Sequence, residues 1–356
     1  MNHSFWLKKL LEIAIERNAS DLHISVGHPP VLRITRQLID LEGEKIITSK
    51  DSQGLAFSLM TPLQKEKFLR EKEIDFAYDF ERKARFRVNV FFQRGMVSVA
   101  LRLIPSKIKT IEELNLPPVL HKFTQAQQGF VLVTGASSQG KSTTLASLID
   151  EINHQRREHI ITIEDPIEYV FEDDKCIIDQ REVHRDTLSF ASALRSTLRE
   201  DPDVIMVGEM RDLETIATAI TAAETGHLVF ATLHTNSAAQ TIHRAIDVFP
   251  SHQQNQIRAQ LASSLLGVIS QRLLPRIKGG FIPACEVMIA NSAVRNLIRE
   301  NKIHEIPSII ETSGDIGMIP LNKSLADLVK KKEITRETAL RYSLNPDDLI
   351  ARLEKI

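Results

Sequence analysis

The sequence has few cysteines and no excess of charge of either sign. Only Cys176 and Cys285 occur among its 356 residues, which excludes a CxxC pair, a four-cysteine zinc site and a disulfide framework. So few cysteines are typical of proteins from a reducing compartment. The formal net charge is −1, so the overall charge gives no indication of a nucleic-acid partner.

Long apolar runs are also missing. No stretch of the sequence approaches the roughly 18–20 apolar residues that a membrane-spanning helix needs. Charged residues interrupt the apolar ones in the first 17 positions at helical spacing, a pattern unlike that of a signal peptide. We therefore expect a cytoplasmic protein without direct membrane insertion, which would reach a membrane only by docking onto a protein embedded there.

The first part of the chain has the pattern of a small α+β domain. The length of 356 residues favours two domains over a single core. Residues 1–104 contain an amphipathic helical pattern at about 4–17 and a hairpin pattern over 85–102 with Arg94-Gly95 at its turn. Between them lie strand patterns at 21–25, 31–34 and 37–39 and helical patterns near 49–59 and 62–71.

The rest of the chain predicts an α/β domain with a parallel sheet. Prolines frame a polar stretch at 105–118, which we interpret as a linker. Over 119–290, strand patterns alternate with helical ones in the manner of β-α-β units. The strand candidates are 129–134, 159–164, 204–208 and 228–233. Residues 291–356 are expected to be mostly helical.

A phosphate-binding loop follows the first of these strands. Residues 135–142 read Gly-Ala-Ser-Ser-Gln-Gly-Lys-Ser and match the pattern G-x-x-x-x-G-K-[ST] between a strand and a helix. Loop amides would face the phosphates, with Lys141 on the β- and γ-phosphates and the Ser142 hydroxyl on Mg²⁺. The sequence thus predicts binding of a nucleoside triphosphate. The expected binding residues are Gly135, Ser138, Gln139, Gly140, Lys141, Ser142 and Thr143.

Carboxylates and a histidine follow the neighbouring strands. Glu209 would project toward the nucleotide from a strand end, where it could polarise the attacking water or hold Mg²⁺ through water. Glu164, Asp165 and Glu168 crowd one strand end, and Mg²⁺ would compensate their charges. His234 lies where a sensor of the γ-phosphate is expected. The alternative for Glu209 is an acid that faces solvent, and for the carboxylates at 164–168 it is a plain acidic turn. The alternative for His234 is a structural histidine.

Arginines recur where they could reach the phosphate of a neighbouring subunit or domain. They are Arg85, Arg87, Arg102, Arg195 and Arg199. Arginines supplied in trans accelerate phosphoryl transfer in other proteins. For any one of these five, a solvated strand edge is the more frequent role.

The order of these motifs resembles the retraction ATPases of type IV pili (the PilT family), within the bacterial secretion and assembly ATPase superfamily. The resemblance covers nearly the full length and includes a stretch near the C-terminus, Ala293-Val-Arg-Asn-Leu-Ile-Arg-Glu300. Its other segments are 19–24, 86–89, the loop at 135–142, the acidic box at 162–168, 198–203, the Walker B segment at 207–212 and the histidine box at 225–235.

The resemblance implies a hexameric cytoplasmic motor that binds ATP and Mg²⁺ and powers pilus retraction and twitching motility at the inner membrane. It implies an N-terminal PAS-like domain (1–104), a linker (105–118), a RecA-like P-loop ATPase domain (119–290) and a helical C-terminal region (291–356). An inner-membrane platform protein and a paralogous retraction ATPase are the implied partners.

The resemblance also implies roles for particular residues. Glu209 would be the catalytic base, Glu164 would support Mg²⁺ and water, and His234 completes the catalytic set. Arg87 and Arg102 would contact nucleotide from the neighbouring domain.

The stretch at 293–300 is the implied coupling element of the motor. On a helix, Val294, Leu297 and Ile298 form an apolar face, whereas Arg295 and Arg299 are i, i+4 neighbours on another face. An exposed arginine pair would suit docking or contact between helices, either of which could serve motor coupling, and an ordinary solvated face is the alternative.

The chain departs from the family pattern in its phosphate-binding loop. Relatives usually read Gly-Pro-Thr-Gly-Ser-Gly-Lys-Ser, so Ser138 replaces a glycine, and Ala136 and Gln139 also differ. If position 138 needs a positive φ, serine costs about 1 kcal/mol there. His184 likewise stands where relatives commonly have glycine.

Two alternative functions remain open at this point. The altered loop motivates an accessory paralogue that binds nucleotide and modulates the main retraction motor. A pilus extension or type II secretion ATPase is disfavoured, because those relatives typically carry a longer N-terminal region and a tetracysteine zinc insertion.

Overall fold

The computed structural model describes residues 2–34, 37–81, 83–104 and 107–355. It separates into two compact units. The first contains the described residues up to Lys107 together with Pro166–Val170, and the second contains Ile108–Asp165 and the residues from Phe171 onward. The predicted linker begins at Pro105, which lies outside the described residues. The finer division at 104, 118 and 290 stays a prediction.

The first unit is built on an antiparallel sheet of six strands in the order β3-β2-β1-β6-β5-β4. Its elements are α1 (His3–Glu16), β1 (Asp21–Ile24), β2 (Val31–Ile34), β3 (Gln37–Asp40), α2 (Ser49–Leu59), α3 (Pro62–Glu71), β4 (Glu73–Phe80), β5 (Ala84–Gln93) and β6 (Met96–Ile104). Arg94 and Gly95 both have positive φ and close the β5–β6 hairpin as predicted. Strand β4 was not predicted, although its apolar residues alternate.

The second unit contains a seven-stranded sheet in the order β13-β12-β7-β11-β10-β8-β9, parallel except for the β12–β13 pair. Its strands are β7 (Gly129–Thr134), β8 (His159–Glu164), β9 (Ile177–Glu182), β10 (Val204–Val207), β11 (Leu228–Leu233), β12 (Leu265–Pro275) and β13 (Phe281–Ile289). The four predicted strands are confirmed. Strands β9, β12 and β13 were not predicted.

Helices cover this sheet and form the C-terminal region. They are α4 (His121–Thr124), α5 (Lys141–Gln155), α6 (Phe190–Thr197), α7 (Leu213–Glu224), α8 (Ala238–Asp247), α9 (Ser251–Ser264), α10 (Ser292–Arg299), α11 (Ile306–Thr312), α12 (Leu321–Lys330), α13 (Arg336–Tyr342) and α14 (Pro346–Leu353). The α/β fold class and the helical C-terminal part are therefore confirmed. None of the helices in the described part of the chain has the length and apolarity needed to cross a bilayer.

The parallel strands of the second unit bring four chain segments to one edge of the sheet. β7, β10 and β11 are buried at every residue. Their apolar runs are those expected of strands covered on both faces. The register pairs Thr134 with Leu233 and Val207 with both Ile163 and Ala231. The segments that follow β7, β8, β10 and β11 therefore meet at the carboxyl edge, where open α/β sheets bind ligands.

Candidate active site

The loop after β7 wraps closely against β12. A Cβ atom added to Gly135 would lie 2.5 Å from the backbone oxygen of Gln271, so only glycine fits at this approach. Helix α5 begins at Lys141, so the last two residues of the loop motif already belong to the helix, and Ser142 and Thr143 stand in its first turn. This strand–loop–helix geometry is the one predicted for a phosphate cradle, in which amides of the helix N-terminus face an anion.

Lys141 is held inside the loop that it belongs to. Its side chain is largely buried, and its Nζ donates hydrogen bonds to the Gly135 oxygen at 2.9 Å and the Ala136 oxygen at 3.0 Å. The same ammonium lies 3.4 Å from Nδ1 of His234. Lys141 therefore joins the phosphate-binding loop to the segment after β11.

His234 connects Lys141 with Glu209. Its Nε2 lies 3.2 Å from a carboxylate oxygen of Glu209, and its Nδ1 faces the Lys141 ammonium. Because an ammonium can only donate, Nδ1 accepts and Nε2 carries the hydrogen that is donated to Glu209. Three residues that the sequence placed at three separate strand ends thus form one series, Lys141–His234–Glu209.

Glu209 is held in its ionised form. Burial opposes ionisation and is the largest single influence on this carboxyl. The Arg211 guanidinium at 2.8 Å, together with the adjacent His234 ring and the Lys141 charge, outweighs burial, so the pKa of Glu209 lies below its usual value. A carboxylate that is charged at neutral pH at the carboxyl edge of the sheet can accept a hydrogen bond from an attacking water.

Glu164 is a second buried carboxylate at the same edge. It is 7% exposed, and one of its oxygens accepts hydrogen bonds from Thr162 Oγ1 at 2.7 Å and Gln180 Nε2 at 3.1 Å. Gly208 packs against it, since a Cβ added there would lie 3.4 Å from the Glu164 Cα and 3.1 Å from the Ile163 oxygen. A larger residue before Glu209 would therefore press on the Ile163 carbonyl, which immediately precedes Glu164.

Two residues of the site were not predicted from the sequence. Gln271 of β12 is 3% exposed, accepts a hydrogen bond from Thr144 Oγ1 at 2.7 Å and donates one from Nε2 to the Gln139 oxygen at 2.8 Å. Gln180 of β9 holds Glu164. Both lie on strands that were not predicted, so no local pattern could have assigned them to the site.

The structure places both residues that stand where relatives have glycine in the left-handed backbone region. Ser138 has φ 62° and His184 has φ 69°. Position 138 therefore does need a positive φ, and the free-energy cost expected for serine there applies. A non-glycine residue in this region costs about 1–2 kcal/mol.

The candidate arginines all have partners. Arg87 donates to Asp75 at 2.7 Å and lies 3.9 Å from Glu168, and Arg102 donates to Asp21 at 3.0 Å. Their contact with nucleotide stays a prediction. The other three are likewise paired: Arg85 with Asp79, Arg195 with Glu214, and Arg199 with the backbone oxygen of Arg195.

The expectation of an exposed arginine pair on α10 is wrong for one of its members. Arg299 is exposed, but Arg295 is half-buried because its guanidinium donates to four backbone oxygens at 2.5–2.9 Å. These belong to Ala262, Ser263, Leu265 and Ala290. The coupling role of the pair stays a prediction.

Comparisons with known proteins agree with these features. The family described as Type II/IV secretion system protein matches residues 4–332. The chain is 47% identical over 342 residues to the type IV pilus retraction ATPase PilT of Pseudomonas aeruginosa, covering 96% of this chain and 99% of that protein. It is 38% identical to the type IV pilus ATPase PilU of the same organism, covering 96% and 90%.

A solved structure is similar over the same length. The crystal structure of the pilus retraction motor PilT with bound ADP superposes with a TM-score of 0.90 at 47% identity and covers 98% of this chain and 99% of that one.

Proposed function

The chain belongs to the type II/IV secretion system protein family and, within it, to the retraction ATPases of type IV pili, and we propose that it hydrolyses ATP to drive pilus retraction and twitching motility. The observation that carries this proposal is the hydrogen-bonded series Lys141–His234–Glu209 at the carboxyl edge of the parallel sheet. It joins a phosphate-binding lysine to an ionised carboxylate through a single imidazole.

This series gives each residue a step in hydrolysis. When ATP enters, the Lys141 ammonium exchanges the Gly135 and Ala136 oxygens for oxygens of the β- and γ-phosphates. Once Nδ1 has lost the ammonium, His234 can turn its Nε2 hydrogen from Glu209 to an oxygen of the γ-phosphate, which leaves a Glu209 oxygen open to water. Glu209 orients the attacking water and accepts its proton, while positive charge around the phosphates stabilises the transition state.

Mg²⁺ fits the donor set at this edge. It prefers oxygen ligands and usually keeps several waters, and the Ser142 hydroxyl and the buried Glu164 carboxylate are such oxygens. Glu164 already accepts hydrogen bonds from Thr162 and Gln180 at one oxygen, which orients the carboxylate. Bound there, Mg²⁺ would neutralise charge on the phosphates; Ser142 would ligate it directly and Glu164 directly or through water.

Six copies of the chain would assemble into the motor. We place it in the cytoplasm, peripherally at the inner membrane, where it would turn a platform protein at the pilus base and act beside a paralogous retraction ATPase. The similarity to PilT and PilU supports this assignment. Native mass measurement should give six times the 40.2 kDa of one chain.

ATP turnover by the purified protein tests the enzymatic part. Glu209→Gln keeps the shape of the side chain but removes the base, so kcat should fall by at least about 100-fold while ADP binding persists. The exposed Glu305 supplies a matched control, because Glu305→Gln changes the same chemistry away from the site and should turn over ATP like the wild type.

Each failure has its own meaning. A wild-type protein that binds ADP without turning over ATP would be an accessory paralogue instead of a motor. Normal turnover by Glu209→Gln would remove Glu209 as the base. Retraction itself is tested by complementation: the wild-type gene should restore twitching to piliated, retraction-deficient cells, and restored piliation in non-piliated cells would instead indicate an extension ATPase.

A further inference from the structure

The phosphate-binding loop is fastened to β12 by a pair of hydrogen bonds between polar groups 132–134 residues apart in the chain. Oε1 of Gln139 accepts a hydrogen bond from the backbone nitrogen of Leu273 at 2.7 Å. In the opposite direction, Nε2 of Gln271 donates to the backbone oxygen of Gln139 at 2.8 Å. We call these two bonds the glutamine clasp.

Gln271 is itself fixed on both sides of its amide. It is almost fully buried, and its Oε1 accepts from Thr144 Oγ1 in the first turns of α5. The backbone of the same residue closes against Gly135. Strand β12 therefore contacts three parts of the site: the start of the loop, the fifth residue of the loop and the helix that follows.

The clasp lies next to the strained residue of the loop. Ser138 has φ 62°, in a region where a non-glycine residue is disfavoured by roughly five- to thirtyfold. An unclasped loop would therefore tend to leave this conformation. The side-chain half of the clasp depends on Gln139, which is one of the residues in which this loop differs from the pattern usual in the family.

We propose that Gln139 is a positioning residue, whose hydrogen bond to β12 holds the nucleotide-binding loop in its competent conformation although Ser138 takes the place of a glycine. Apparent affinity falls in proportion to the competent fraction of the loop. The clasp raises that fraction against the strain at Ser138, and loss of the clasp lowers it. The Gln139 side chain thus acts through the loop, because its oxygen is bonded to β12.

The proposal predicts a specific pattern of ADP affinities. Gln139→Ser cannot reach Leu273, and Gln139→Met keeps the length and the apolar stem but has no acceptor oxygen. Loss of one hydrogen bond should raise the apparent Kd for a fluorescent ADP analogue by about fivefold in both variants. Adding Ser138→Gly removes the backbone penalty, so the double variants should return to within about twofold of the wild type.

Gln155→Ser is the matched control. Gln155 ends the same helix that the loop begins, about 20 Å away along its axis, and its amide bonds Glu151 instead. This variant should bind the analogue like the wild type. Melting temperatures of all variants are recorded with the affinities, because a clasp that only positions the loop leaves global stability nearly unchanged.

The inference rests on the proposed function of the nucleotide site. Binding measurements distinguish a failure of that function from a failure of the clasp alone. A wild-type protein that binds no ADP would overturn the proposed function and the role of the clasp with it. Wild-type affinity in Gln139→Ser and Gln139→Met would overturn the clasp alone. Weakened binding that Ser138→Gly does not restore would also overturn it, because Gln139 would then act other than through backbone strain.

Discussion

Substitution of Arg295 tests whether this residue stabilises the fold or serves only in motor coupling. The last carbonyl groups of a helix have no partner within the helix. At the end of α9 those of Ala262 and Ser263 are satisfied by the Arg295 guanidinium, which also reaches Leu265 and Ala290. A cation at a helix C-terminus is favourable as well. Replacing Arg295 by methionine keeps the stem of the side chain and removes the donor from these oxygens.

The expected cost follows from the number and kind of these bonds. Each hydrogen bond from a charged donor contributes about 1.5–3 kcal/mol, and bonds from one group do not add. Some of the freed oxygens would find water at the half-exposed site. We therefore expect Arg295→Met to lower the free energy of unfolding by about 3 kcal/mol, or the melting temperature of the second unit by about 6–12 °C.

Thermal unfolding followed by circular dichroism measures this directly, with ATP turnover recorded at a temperature where both proteins are folded. Arg299→Met is the matched control, since Arg299 lies one turn further along α10 and is exposed; its melting temperature should shift by less than about 2 °C. Arg295→Lys should lie between, because an ammonium keeps the charge but not the planar fork. An Arg295→Met protein as stable as the wild type would refute the structural account.

Two further predictions follow from the site and its supports. His121 lies between Glu151 at 2.7 Å and Glu112 at 2.8 Å; the hydrogen bond to Glu151 is the main cause that raises its pKa, burial opposes it, and Glu112 adds to it. A raised pKa contributes stability that is fully present below the ordinary value of 6.5 and lost as the pH rises through the folded value. Urea unfolding should therefore show His121→Ala less stable than wild type by about 1.5 kcal/mol at pH 6, with the gap closing above pH 6.5, and a pH-independent gap would contradict this. For Gly208→Ala, the added Cβ would lie 3.1 Å from the Ile163 oxygen, so the strand end that carries Glu164 would have to shift by a few tenths of an ångström. The kcat for ATP should then fall about tenfold with ADP affinity retained; unchanged kcat would show that Glu164 tolerates the shift.

Features that depend on contiguous residues could be predicted from the sequence. The apolar runs of β7, β8, β10 and β11 and the G-x-x-x-x-G-K-[ST] pattern predicted the central strands, the loop and the start of α5. They also predicted that Glu209 and His234 follow neighbouring strands. Local order could not show that His234 bonds both Lys141 and Glu209, because that depends on the register of three strands and on side-chain directions.

Strand β12 explains why the remaining features escaped prediction. Its pattern, Leu-Leu-Gly-Val-Ile-Ser-Gln-Arg-Leu-Leu-Pro, continues α9 without a break in the sequence, so neither its start nor its place beside β7 is evident. Yet Leu265 at its beginning receives a hydrogen bond from Arg295, and Gln271 and Leu273 bond the phosphate-binding loop. The position of Arg295 along α10 therefore predicts an exposed side chain, whereas its contacts stabilise the fold. Gln139 differs from the residue usual in the loop, yet its side chain has a fixed hydrogen-bond partner. Both roles come from contacts between distant parts of the chain, which residue spacing cannot encode.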